Sequence, residues 1–163
     1  MMVTADRHHV KIGELKVIAD EGVLYTIGLG SCVAVMLYDP GKKIGGLAHV
    51  MLPAPTPRSD ASPGRFAPLA VPALVEEMVK LGARKRGMYA RISGGAAMFK
   101  DVLPAEGVRL GERNIAAVKD ALAKASVPLR GEDTGGSFGR SVFFDAADGS
   151  VLIRAVRRDD LVL

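Results

Sequence analysis

Between Val33 and His49 the chain leaves itself little choice of fold. The stretch "VAVMLY" (Val33 to Tyr38) is an unbroken apolar run, "DPGKK" (Asp39 to Lys43) has the Pro and Gly chemistry of a tight turn, and "IGGLAH" (Ile44 to His49) is too glycine-rich and too short for a helix. Two strands of similar length about such a turn predict an antiparallel hairpin. A run without polar alternation predicts a strand covered on both faces. The same count returns His49 beside the start of the first strand, where Cys32 sits.

The rest of the chain supplies elements to cover that hairpin. "KIGELKVIA" (Lys11 to Ala19) and "VLYTIG" (Val23 to Gly28) read as strands about the turn "DEG" (Asp20 to Gly22). "LAVPALVEEMVKLGA" predicts a helix presenting Leu74, Val75, Met78 and Val79, with Pro72 early and Gly82 near its end. "MYARIS" is a strand running into Gly94-Gly95, and "GERNIAAVKDALAKAS" places Ile115, Val118 and Leu122 at helical spacing. After a glycine loop, "DTGGSFGR" (Asp133 to Arg140), the chain ends in a hairpin around Asp148-Gly149. The expected fold class is α+β, with about seven or eight strands, two main helices and no βαβαβ alternation. Met51 to Pro68 holds five prolines, two serines and a glycine and reads as a long functional surface loop.

At 163 residues the chain fits one domain, residues 1–163, with residues 1–10 expected to be flexible. One cysteine forms no internal disulfide and suits a reducing compartment. The first thirteen residues lack the apolar run of a signal peptide, so the expected location is the cytoplasm, without membrane insertion. The net charge of +4 is clustered at Arg84-Lys85-Arg86 and at Arg154, Arg157 and Arg158, with few aromatic residues. That pattern argues against nucleic acid and for an acidic protein surface as partner.

The chemistry concentrates in "TIGLGSCVAV" (Thr26 to Val35). A dinucleotide loop needs a third glycine and a following helix, whereas here Val33 and a strand follow. Cys32 reads either as a small buried hydrophobe or as a nucleophile in a glycine turn whose backbone N–H groups, around Gly30 and Ser31, cradle an oxyanion. A catalytic thiol needs a base, and of the three histidines only His49 is embedded in a strand. Thr26 either orients that imidazole or is an ordinary strand residue. One Cys and one His make an incomplete zinc site, and neither metal nor cofactor is expected.

In order and spacing, "GLGSCVAVMLYD", "GGLAHVMLP", "SGGAAMF", "GERNIAAV" and "EDTGGSFGRSVFFDAADGSVLIR" resemble the bacterial chemoreceptor glutamine deamidase family, CheD. The likeness covers roughly Lys11 to Arg157. It implies a cysteine hydrolase fold related to the catalytic domain of cytotoxic necrotizing factor toxins, with packed mixed β-sheets flanked by helices. It also implies Cys32 as nucleophile, His49 as base and Thr26 as the orienting group. The implied reaction converts glutamine side chains of methyl-accepting chemoreceptors to glutamate through a thioester, and the implied regulatory partner is a CheC-type phosphatase. Gly94, Gly95, Arg58 and Arg65 are the expected substrate rim. Ser93 departs from the family, which usually has a bulky residue there. The rivals are hydrolysis of glutamyl methyl esters on the same receptors and a non-catalytic adaptor.

Overall fold

The computed structural model describes residues 6–56, 62–98 and 109–163, which form two five-stranded mixed sheets and one layer of helices. In chain order the elements are β1 (Arg7–His9), β2 (Leu15–Ala19), β3 (Val23–Leu29), β4 (Val33–Asp39), β5 (Ile44–Val50), α1 (Ala67–Leu81), β6 (Tyr89–Gly94), α2 (Leu110–Lys124), β7 (Leu129–Thr134), β8 (Arg140–Asp145), β9 (Val151–Arg154) and β10 (Leu161–Val162). The first sheet runs β1-β3-β8-β9-β10 and the second β2-β5-β4-β6-β7. Pairing is antiparallel except for β1 with β3 and β6 with β7. The α+β expectation therefore holds, with ten strands among the described residues rather than seven or eight.

The predicted hairpin is the centre of the second sheet: β4 and β5 pair from Val33↔Val50 to Asp39↔Ile44, and all seven residues of each are buried. One face, carrying Val33, Val35, Leu37, Ala48 and Val50, packs on α1 and α2. The other, carrying Ala34, Met36, Tyr38 and Leu47, packs on Leu24, Val142, Phe144 and Ile153 of the first sheet. The two glycines of "IGGL" serve these two contacts. A Cβ on Gly45 would strike the Phe144 ring at 2.9 Å, and one on Gly46 would strike Leu74 of α1 at 2.7 Å.

Helix α1 begins at Ala67, earlier than predicted, so Pro68 lies in its first turn and Pro72 inside it. Its buried face is Ala67, Ala70, Val71, Leu74 and Met78, whereas Val79 is 46% exposed. Gly82, in the left-handed region, caps it as expected. Within the stretch expected to be flexible, residues 7–9 form β1, which joins the first sheet, and the His9 ring stacks on Tyr25 at 4.9 Å. Among the described residues no helix is long and apolar enough to cross a membrane.

Candidate active site

Strand β3 belongs to the first sheet and β4 to the second, so Gly30, Ser31 and Cys32 carry the chain across the gap between them. A β-bulge precedes the crossing: Thr26 pairs with Val142 and Leu29 with Arg140, leaving one extra residue on β3. Gly28, at φ +71°, takes the left-handed conformation that this bulge requires. The bulge resets the alternation, so that Thr26 and Leu29 are both buried while Ile27 is 53% exposed.

The crossing turn is held by its carbonyls. Gly30 O accepts from the Ala96 N–H at 2.8 Å, Ser31 O from the Asn114 amide at 2.9 Å and Cys32 O from the Gly95 N–H at 2.8 Å. No backbone carbonyl among the described residues accepts from the Ser31 or Cys32 N–H. These two donors belong to the consecutive peptides 30–31 and 31–32, on either side of the Ser31 Cα. Gly94 and Gly95 have φ of +111° and +67°, and a Cβ on Gly94 would collide with the Cys32 carbonyl oxygen. Their place is thus beneath the Gly30–Cys32 turn, gripping it by backbone. On its far side the 94–97 segment binds the glycine loop, through Gly135 N–H to Gly94 O and Ala97 N–H to Gly136 O.

His49 pairs with Ala34, two residues beyond Cys32, and strand alternation puts both Cys32 and His49 on the face towards the first sheet. Across the gap the Thr26 hydroxyl lies 2.8 Å from His49 Nδ1, with the Val10 carbonyl a weaker partner at 3.4 Å. The Val10 carbonyl can only accept, which favours the tautomer with the proton on Nδ1; the Thr26 hydroxyl, able to donate or accept, then accepts, and Nε2 keeps its lone pair. Nε2 is buried without a hydrogen-bond partner, and the residue is 2% exposed. Backbone bonds fix the strand here too, with Gly13 N–H to His49 O and His49 N–H to Glu14 O.

Burial pushes the Cys32 thiol above its ordinary range. It also pulls His49 down, an effect opposed by the Val10 carbonyl and reinforced by the nearby His9. Both shifts favour a neutral thiol beside a neutral imidazole over a thiolate–imidazolium pair. Alkylation of Cys32 by iodoacetamide is therefore expected to be slower at pH 7 than that of an exposed peptide thiol, and to keep rising past pH of about 8.5. A rate already level from pH of about 6 upward would overturn the neutral-pair assignment.

A cavity of about 340 Å³ opens onto the Thr26–His49 bond, lined also by His9, Lys11, Ile12 and Ile27. Arg65 is half-buried: its carbonyl accepts from the Met51 and Leu52 N–H groups, its Nε is buried without a partner, and its side chain packs on Gly13. It thus braces the segments flanking His49, while Arg58 lies outside the described residues. Ser93 is buried, with its hydroxyl unpartnered, opposite Ala34.

Two residues escaped the sequence reading. Arg140, almost wholly buried, binds Asp133 at 2.9 Å and the Gly135 carbonyl, and so ties down the glycine loop. Asn114 binds both the Ser31 carbonyl and the Met51 carbonyl. A signal for it existed, since Asn114 stands four residues before Val118 on the apolar face of α2.

Two packed mixed sheets covered by one helix layer, with a thiol, an imidazole and a hydroxyl gathered at the sheet-to-sheet crossing, define the class of thiol–imidazole proteins. Residues 51–155 match the family described as CheD chemotactic sensory transduction. The chain is 49% identical over 145 residues to the probable chemoreceptor glutamine deamidase CheD of Methanococcus vannielii, covering 89% of this chain and 92% of that protein. It is also 49% identical to the protein of the same name in Clostridium kluyveri, over 90% of this chain and 96% of that one. The chain belongs to the CheD family. A match over 89% of its length necessarily spans Thr26, Cys32 and His49. Among solved structures, a Bacillus licheniformis hypothetical protein, YfiH, is similar with a TM-score of 0.47 and 15% identity over 77% of this chain and 58% of that one.

Proposed function

We propose that the protein is a cytoplasmic cysteine amidohydrolase that converts glutamine side chains of chemoreceptors to glutamate, the activity named for its relatives. The observation that carries this reading is the Thr26–His49 bond, which orients the imidazole and leaves Nε2 free on the face that holds Cys32. In the resting protein the thiol and Nε2 are not hydrogen-bonded, and a bound substrate draws them together, as catalytic contacts tighten on binding.

Nε2 takes the thiol proton as sulfur attacks the amide carbon, and the oxyanion falls to the Ser31 and Cys32 N–H groups. Collapse breaks the C–N bond, the imidazolium returns its proton to the departing ammonia, and a thioester remains. Water then attacks with its proton passing to Nε2, the C–S bond breaks, and glutamate and the thiol are released.

The substrate rim in this reading comprises the exposed Ile12 and Ile27 and the half-buried Arg65, whereas the expected rim glycines Gly94 and Gly95 are buried and support the Cys32 turn from beneath. A CheC-type phosphatase competes for the same face. Incubation with a receptor cytoplasmic fragment is expected to add about one dalton per converted glutamine and to release ammonia. Methanol release without that mass gain would instead support methyl ester hydrolysis. Thr26→Val removes the partner of the developing imidazolium, and a charged hydrogen bond contributes about 1.5–3 kcal/mol. The expected fall in kcat is about tenfold to a hundredfold, with KM little changed, measured by the same ammonia assay.

A further inference from the structure

The amide of Asn114 reaches out of the helix layer to two chain segments that carry the site. Its Nδ2 donates to Ser31 O at 2.9 Å and to Met51 O at 3.0 Å, and the residue is wholly buried. The register makes this placement telling. The β4–β5 ladder has its last rung at Val33↔Val50, and Ser31 and Met51 are the chain just beyond it. Past its last rung a hairpin frays unless something joins its two ends. Asn114 supplies the missing link from a third element, so Cys32 lies between the ladder on one side and this amide staple on the other.

The staple also sets the direction of a donor. A trans peptide is planar, with its C=O and N–H pointing oppositely. Directing the Ser31 carbonyl at Asn114 therefore turns the Cys32 N–H away from α2. The start of α2 is seated closely enough to hold that aim: a Cβ on Gly111 would meet the Ala96 carbonyl at 2.6 Å, and Asn114 follows one turn later.

We propose that Asn114 is a positioning residue for the nucleophile turn, which holds Cys32 against the histidine strand and aims the Cys32 N–H at the developing oxyanion. This rests on the amidohydrolase reading, because an oxyanion forms only if the thiol attacks an acyl carbon. The role is selective for the transition state, and so it belongs to kcat rather than to substrate affinity.

The test has one arm that needs no substrate. In hydrogen exchange of the full-length protein, Asn114→Ala is expected to speed exchange at the hydrogen-bonded amides of Val33, Val50, Met51 and Leu52 by about tenfold, while α1 and β8 keep wild-type protection. Uniform acceleration, or none, overturns the staple. In the kinetic arm, with the receptor fragment, Asn114→Ala is expected to lower kcat by about tenfold to a hundredfold, with KM within about threefold. Asn114→Asp carries the test if the alanine variant does not fold. Ionised, its carboxylate repels both carbonyls. Protonated, it donates to one of them, so its activity relative to wild type is expected to rise as pH falls from about 8 to 6. A ratio independent of pH, or a kcat equal to wild type, overturns the proposal. If wild-type protein leaves the receptor fragment unchanged, the amidohydrolase reading fails, and the staple is judged by exchange alone.

Discussion

Cys32→Ala is expected to leave receptor mass unchanged under conditions where the wild-type protein converts its glutamines. Without sulfur there is no nucleophile, and neither His49 nor the N–H cradle makes up for it. In enzymes whose groups act as a unit, loss of the nucleophile costs about 10,000-fold or more in kcat. The fold is expected to survive, because Cys32 is half-buried at the edge of the inter-sheet core and gives up a single atom. Intact mass spectrometry of the receptor fragment, with circular dichroism of the variant, checks both halves. The variant should still retain receptor in a pulldown. If wild-type protein bound receptor without ever altering its mass, the adaptor reading would replace the enzyme.

Gly94→Ala is expected to be the most damaging single-methyl change near the site. At φ +111° an alanine is strained, and its Cβ collides with the Cys32 carbonyl oxygen. Neither party yields easily, because that oxygen is held by the Gly95 N–H while Gly94 pairs with Val33 and Thr134. Strain and clash together should cost about 3 kcal/mol, which in a chain of this size lowers Tm by roughly 6–12 °C. Activity should fall even well below the new Tm, since relief of the clash moves the thiol. A melting point within about 2 °C of wild type would show that the turn is far more compliant than its hydrogen bonds indicate.

The hairpin and its two end residues were legible because they depend on local pattern: an apolar run, a turn with Pro and Gly, a second run of equal length. Cys32 stood out as the lone cysteine and His49 as the histidine at the end of an apolar strand pattern, although His8 and His9 turn out to lie in a strand as well, the three-residue β1. The helix face was only partly legible. Alanines at 67 and 70 let α1 pack closely and carry its buried stripe, and apolarity alone drew Val79 into a face it does not join. The three-residue β1 and two-residue β10 are too short to show any period, and only pairing with distant strands makes them strands. Asn114 was missed for a related reason: an amide on an apolar helical face signals a buried partner but does not name it. Its partners lie 83 and 63 residues away in sequence, beyond any local rule.

The bond between Thr26 and His49 joins residues of different sheets. The second sheet holds His49 and receives Cys32, yet by itself it leaves the imidazole free to rotate. Orientation arrives only when Leu24, Val142 and Phe144 of the first sheet dock on Ala34, Met36 and Leu47. Orientation of the imidazole is therefore a late product of assembly: a nascent or half-opened chain carries the thiol, the imidazole and the hydroxyl without their mutual alignment. The sandwich acts as an interlock, fixing the imidazole only in a molecule whose two sheets have already closed on each other.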